Sequence, residues 1–260
     1  RVRGNEYIVT ANEGDGREYF WDTDETTCTD LGFNYDSDDG CLAYTDETRV
    51  KDVTLNPASF SDLSDFDVAN IAELQHEDKL GRHKMLTTEG KGDDDEYEEI
   101  HSFGARSITI WDTAGNVVWD SGDIMEQVTA EYLPDDFNST NDGNDTFKNR
   151  SDDKGPEPEN VVVGRAFGRQ YAFVGLERVG GIMIFDISDP ANGRYVAYHN
   201  NRNFSAENND DDNLEGKDAG DLGPEGIAFI KAEDSPNGEP LLVVGNEVSG
   251  TTTIWQIVKD

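Results

Sequence analysis

The sequence predicts an all-β protein built from repeated antiparallel units, on three observations. Its regular segments are short, β-branched and aromatic, and are bounded by Gly, Pro, Asn and Asp. One arrangement of such segments is written twice. Residues 155–188 and 223–257 both begin with Gly-Pro-Glu, give a β-rich run and a short connection, and continue with a second run ending at a Glu (Glu177, Glu247). A Gly follows each time (Gly180, Gly250), and then a third run. A fainter third copy opens the chain, where "EYIVTANEGDGREY" aligns with "PLLVVGNEVSGTTT". Antiparallel units of about 40–50 residues, lengthened by loops, describe β-propeller blades. A propeller sets equivalent blade positions around one axis, so a Glu repeated at one position becomes part of a ring.

Taken in order, strands are expected at 6–12 (EYIVTAN), then at 106–112 (RSITIWD) and 116–122 (NVVWDSG), which flank the turn TAGN as a hairpin. ENVVVGR (159–165), QYAFVGL (170–176), GIMIFDI (181–187) and RYVAYHN (194–200) follow, and then EGIAFIK (225–231), PLLVVGN (240–246) and TTTIWQI (251–257). One helix is expected over 61–82, with Phe66, Ala69, Ile71, Ala72 and Leu74 as its apolar set, and a second short one over 123–133. The loops at 91–99, 135–159 and 206–221 are long and acidic. Their low hydrophobicity suits disorder, yet loops of this length inside a β protein also carry function or metal.

Charge is the dominant bulk feature: 56 acidic residues against 21 basic, a formal net charge of -35. Such a surface repels phosphates, so nucleic acid is excluded as a partner. No apolar run approaches the ~18 residues of a membrane helix. The carboxylate excess suits solubility in a salty or extracellular medium, and also hard cations such as calcium, which take oxygen ligands. Cys28 and Cys41 share one polar loop and are expected as a disulfide of a secreted protein. Four sequons, at Asn138, Asn144, Asn149 and Asn203, point the same way as glycosylation sites.

The motifs "YIVTANEGDGREY", "ETRVKD", "FGARSITIWD", "RSDDKGPEPE", "YAFVGLERVGGIMIFDISDP" and "GDLGPEGIAFI" closely resemble the choice-of-anchor I family of secreted or cell-surface proteins. The resemblance implies that residues 1–260 are part of a single domain, the C-terminal portion of a roughly seven-bladed β-propeller. Its N-terminal blades would be absent from this chain. Additional blades, from a preceding segment, a partner chain or a second copy, would then complete the ring. The strand near 7–10 should pair beyond its local hairpin or present a bare edge. The loop holding the cysteines stands apart from the family pattern, so the resemblance does not carry the disulfide.

No nucleophile elbow, P-loop or His-Glu-x-x-His is present. The four histidines are scattered, and "DSDDG" (36–40) lacks the spacing of an EF-hand. The strongest constellation lies at strand ends. It comprises Asn12, Glu13, Asp15, Arg17, Arg106, Asp153, Lys154, Glu157, Glu159, Glu177, Arg178, Glu225, Asn246 and Glu247. Two readings stand. Arg17, Arg106 and Arg178 pair with the carboxylates and lock neighbouring blades. Alternatively Glu13, Asp15, Asp153, Glu157, Glu159, Glu177, Glu225 and Glu247 line a cavity that holds calcium. The expected function is a calcium-binding extracellular binding or structural module. The alternative is a metal-dependent phosphoesterase, since "DDKGPEPE" faintly resembles propeller phytases and phosphatases.

Overall fold

The computed structural model describes residues 2, 4–37, 39–104, 106–207 and 217–259. Its strands are β1 (Tyr7–Ala11), β2 (Glu18–Trp21), β3 (Asn34–Asp36), β4 (Gly40–Thr45), β5 (Glu47–Arg49), β6 (Lys84–Leu86), β7 (Ile108–Asp112) and β8 (Val117–Asp120). β9 (Pro158–Ala166), β10 (Arg169–Leu176), β11 (Ile182–Asp186), β12 (Arg194–His199), β13 (Pro224–Ile230), β14 (Leu241–Asn246) and β15 (Thr251–Gln256) follow. The helices are α1 (Glu25–Asp30), α2 (Ile71–Leu74) and α3 (Ile124–Tyr132). These elements fall into two compact units, one of Arg1–Glu13 with Gly104–Asp260 and the other of Gly14–Phe103. Every strand expected from the sequence forms, and all of them lie in the first unit. Most of the loop at 206–221, and Asp38 of "DSDDG", lie outside the described residues.

The first unit holds three antiparallel sheets, ordered β1-β7-β8, β12-β11-β10-β9 and β13-β14-β15. None closes on itself among the described residues. Their central hairpins share one register. Ile8 lies opposite Trp111, Ala172 opposite Phe185, and Leu242 opposite Trp255. Two residues on, Thr10, Val174 and Val244 face Thr109, Met183 and Thr253. The faint first copy is therefore a repeat in space as well as in sequence. Its third strand, however, is not the "GREY" run that the alignment suggests. β1 pairs with β7, and the whole of Gly14–Phe103 occupies the place of the short turns Glu177–Gly180 and Glu247–Gly250.

Alternation along β10 explains how the sheets stack. Ala172, Val174 and Leu176 enter a core with Ile108, Ile110, Met125, Met183 and Phe185. Phe173, on the opposite face, joins Ile182, Leu242 and Val244, with Phe229 stacked on it at 5.7 Å. A strand buried on both faces reads as a continuous apolar run, as "YAFVGL" does. Gly164 of β9 permits the close approach of β13, since a Cβ there would lie 2.4 Å from the Phe229 ring.

The second unit contains sheet β2-β4-β3 and the pair β5-β6, over a small core of Val50, Leu55, Leu63, Leu74, Met85 and Tyr97. Cys28 on α1 is disulfide-bonded to Cys41 on β4, with Cα atoms 5.5 Å apart. Asp24 caps α1 by accepting from the Thr27 amide at 3.0 Å. The helix expected over 61–82 is a correction: only a 3-10 turn at Ser64–Phe66 and the single turn of α2 form. Asp67 adopts φ 50°, which stops a right-handed helix, and Asn70 starts a new one by capping Glu73 at 2.9 Å. The second expected helix forms as α3.

Candidate functional site

The repeated strand ends of the first unit carry the polar constellation. In two of the three hairpins an Asn closes the first strand: Asn12 follows β1 and Asn246 ends β14. Asn12 Nδ2 donates to Ser107 Oγ at 2.9 Å and Thr109 Oγ1 at 2.7 Å. Asn246 Nδ2 donates to Thr251 Oγ1 at 3.1 Å and Thr253 Oγ1 at 3.2 Å. An aspartate then accepts from the same hydroxyls, Asp120 in one hairpin and Asp221 in the other. Leu176 takes this position in the middle hairpin and is fully buried. Glu13, Glu177 and Glu247 follow at one equivalent place.

The register also corrects which Pro-Glu is repeated. Leu176 pairs with Pro158 and Asn246 with Pro224, and in both sheets the next residue, Glu159 or Glu225, is skipped at a bulge. Glu159 is thus the counterpart of Glu225, and Glu157 corresponds to Gly223. The backbone agrees: the Glu177 amide donates to Glu157 O at 2.9 Å and the Glu247 amide to Gly223 O at 2.7 Å. Gly223 has φ 66° and Glu157 φ 56°. A glycine tolerates that left-handed backbone, whereas a glutamate there stores about 1–3 kcal/mol of strain, and such strain persists only where surroundings impose it.

What imposes it is a buried ion network. Glu157 is 0% exposed and is held by Lys154 Nζ at 2.9 Å and by the Arg178 guanidinium, whose Nη2 lies at 3.3 Å and whose Nε makes a shorter contact. Lys154 also reaches Glu13 Oε1 at 3.1 Å. Arg178 Nη1 lies 3.2 Å from Glu177 Oε1 and 3.0 Å from Asn141 Oδ1, while Asn141 Nδ2 donates to Glu177 at 2.8 Å. Two cations, Lys154 and Arg178, thus pair with the carboxyls of Glu13, Glu157 and Glu177, and Glu159 and Glu225 add two more carboxyls beside them.

Protons sort that imbalance. Burial pushes the Glu157 carboxyl up, but Arg178 and Lys154 outweigh it and hold it below its ordinary value. Burial, with the Glu157 charge beside it, pushes Glu177 up to about 9 against the pull of Arg178. Glu159 is also raised, by burial and then by Glu13, Glu225 and Glu157. A carboxyl raised to about 9 is protonated near neutral pH, so Glu177 sits beside the Glu157 charge as a neutral acid.

The loop before β9, expected as a disordered or metal-bearing stretch, builds the wall of this site. Asn138, Ser139, Asn141 and Asn144 are buried in it. Arg202 enters it and donates to Thr140 O at 2.6 Å, Gly143 O at 2.7 Å and Arg178 O at 3.1 Å. Burial lowers the Arg202 guanidinium to about 10. Arg106 bridges Glu126 at 3.0 Å and the carbonyls of Ser151 and Asp153 at 2.9 and 2.7 Å. Sequence reasoning missed Asn141, Glu126 and Arg202, which lie in loops or on a helix with no motif around them.

Other expected residues fall elsewhere. Asp153 pairs with Arg150 at 2.6 Å. Asp15 is exposed in the second unit, where Arg17 pairs with Asp46 at 2.7 Å. Glu247 is exposed and makes no side-chain ion pair among the described residues. No group of three or more acidic, His or Cys side chains is arranged to hold a metal ion among the described residues. Asn138 and Asn144 are 0% and 3% exposed, and their side-chain amides donate to Glu126 and to Ala206 O. The exposed sequon asparagines are Asn149 and Asn203.

Register-matched, stacked antiparallel sheets define a repeat-built β protein. The chain belongs to the choice-of-anchor I family, whose domain model matches residues 1–190. It is 30% identical over 194 residues to Gigasin-3a of Magallana gigas, covering 72% of this chain and 68% of that protein. It is 26% identical over 208 residues to the mesenchyme-specific cell surface glycoprotein of Strongylocentrotus purpuratus, covering 74% of this chain but 25% of that protein. No solved structure matches the chain significantly. No helix is long and apolar enough to cross a membrane among the described residues.

Proposed function

We propose that this protein is an extracellular module, secreted or at the cell surface, that serves binding or structure. The Cys28–Cys41 disulfide carries the reading, because such bonds persist in oxidising compartments. A relative named as a cell surface glycoprotein supports it. In this reading the sheets are propeller blades completed by further blades, and the Glu157 network locks neighbouring blades together. Calcium is the proposed counter-ion for the surplus carboxylates, drawn by their charge rather than by a pre-arranged cage.

Two measurements test the reading. Protein from its native source, denatured without reductant, should yield no reactive thiol and should come from the extracellular fraction; two free thiols in an intracellular pool would overturn the placement. Calcium at ~100 times its dissociation constant should add about 2.7 kcal/mol through one site. A melting curve that a chelator leaves unmoved at fixed ionic strength would remove calcium from the account.

A further inference from the structure

The three hairpins of the first unit are the same object in three settings. The first strand of the middle hairpin, β10, carries β9 on its other edge, and the equivalent β14 carries β13. Both added strands are antiparallel, both start at a Pro-Glu, and both bulge at that Glu. The third equivalent strand, β1, is bonded to β7 alone and ends its sheet among the described residues. Its environment is open as well. Ile8 is 56% exposed, whereas its counterparts Ala172 and Leu242 are 0% and 3% exposed. An unpaired strand edge is a template for another strand.

We propose that the free edge of β1 is a docking site for one antiparallel strand that begins with Pro-Glu, supplied from outside these 260 residues. The two filled edges fix its chemistry and register. Its Pro faces Asn12, its Glu forms the bulge beside Glu13, and the five residues that follow, mostly apolar as in β9 and β13, face Ala11, Thr10, Val9, Ile8 and Tyr7 in turn. The bulged Glu adds a carboxylate to the row that already holds Glu159 and Glu225. The inference rests on the reading of the hairpins as repeats of one blade and is independent of where the protein resides.

The test adds a peptide of sequence Gly-Pro-Glu-Gly-Ile-Ala-Phe-Ile, the segment 223–230, to the whole chain at millimolar concentration. Deuterium exchange at Tyr7–Ala11 should slow at least threefold, with no change at β8 and β12, whose counterparts end their sheets. For register, the peptide carrying Cys in place of Phe229 should cross-link to an Ile8→Cys chain at least fivefold faster than one with Cys in place of Ala228. A change in exchange that a scrambled peptide reproduces, no change at all, or equal cross-linking from both positions would overturn the proposal. Slowed exchange at Tyr7–Ala11 that tracks protein concentration without peptide would also overturn it, by assigning the edge to a second copy.

Discussion

Two turns at equivalent positions, 177–180 after β10 and 247–250 after β14, have met opposite fates. Both follow strands in the same register, and both begin with a Glu whose amide bonds to the carbonyl just before the neighbouring strand, Glu157 O before β9 or Gly223 O before β13. Glu177 is buried, bonded to Asn141 and pushed up to about 9, while Glu247 is exposed. The difference lies in what surrounds them. The first turn has Glu157 where the second has Gly223, Arg178 where the second has Val248, and a wall of loop pinned by Arg202. A repeat thus sets where a side chain sits, and the loops between repeats decide its chemistry.

The strongest way to break this comparison is to remove Arg178. Arg178→Met leaves Glu157 as a buried charge with one partner fewer, and about 3 kcal/mol of stability should be lost. Glu247→Ala should change stability by no more than about 0.5 kcal/mol, as exposed substitutions do. Chemical denaturation of both variants checks the pair, and equal losses would erase the distinction between the turns.

The third turn sharpens the comparison, because a whole unit stands in its place. Its disulfide closes a short loop, and on the chain-entropy account its reduction should cost about 2–3 kcal/mol within that unit. Exchange rates at Cys28 and Cys41 should rise while the amides of β10 and β11 stay protected. Loss of protection in both units at once would tie the insert to the blades more closely than the account allows. A smaller effect tests the stacking that brings the repeats together. Gly164→Ala forces a Cβ against the Phe229 ring and should lose about 1–3 kcal/mol. A thermal melt of this variant unchanged from the parent would argue against tight stacking of β9 on β13.

The strands of the first unit were legible because each is apolar, β-branched and closed by turn residues. The second unit was almost illegible: β2, β3, β5 and β6 are three or four residues long, too short for a period to show. The expected helix at 61–82 failed because Asp67 and Asn70 interrupt it locally. The carboxylates of the site were legible as a repeat, but "GPEPE" offers two Pro-Glu steps, and the strand register alone shows that the second is the repeated one. Its partners Asn141 and Arg202 come from loops, whose contacts no spacing rule reports.

The central claim is that burial and the Glu157 charge keep Glu177 protonated at neutral pH. The sign is definite. A carboxyl raised in the folded state contributes stability that is fully present below its unfolded value and is lost as pH rises through about 9. The direct measurement is a carbon-13 NMR titration of the Glu177 side-chain carboxyl in the intact chain, with chelator present. The expected midpoint is near 9, with a flatter dependence of stability on pH between about 5 and 9 in Glu177→Gln. A Glu177 midpoint in the ordinary carboxylate range, with the Glu177→Gln profile parallel to the parent's, would contradict it.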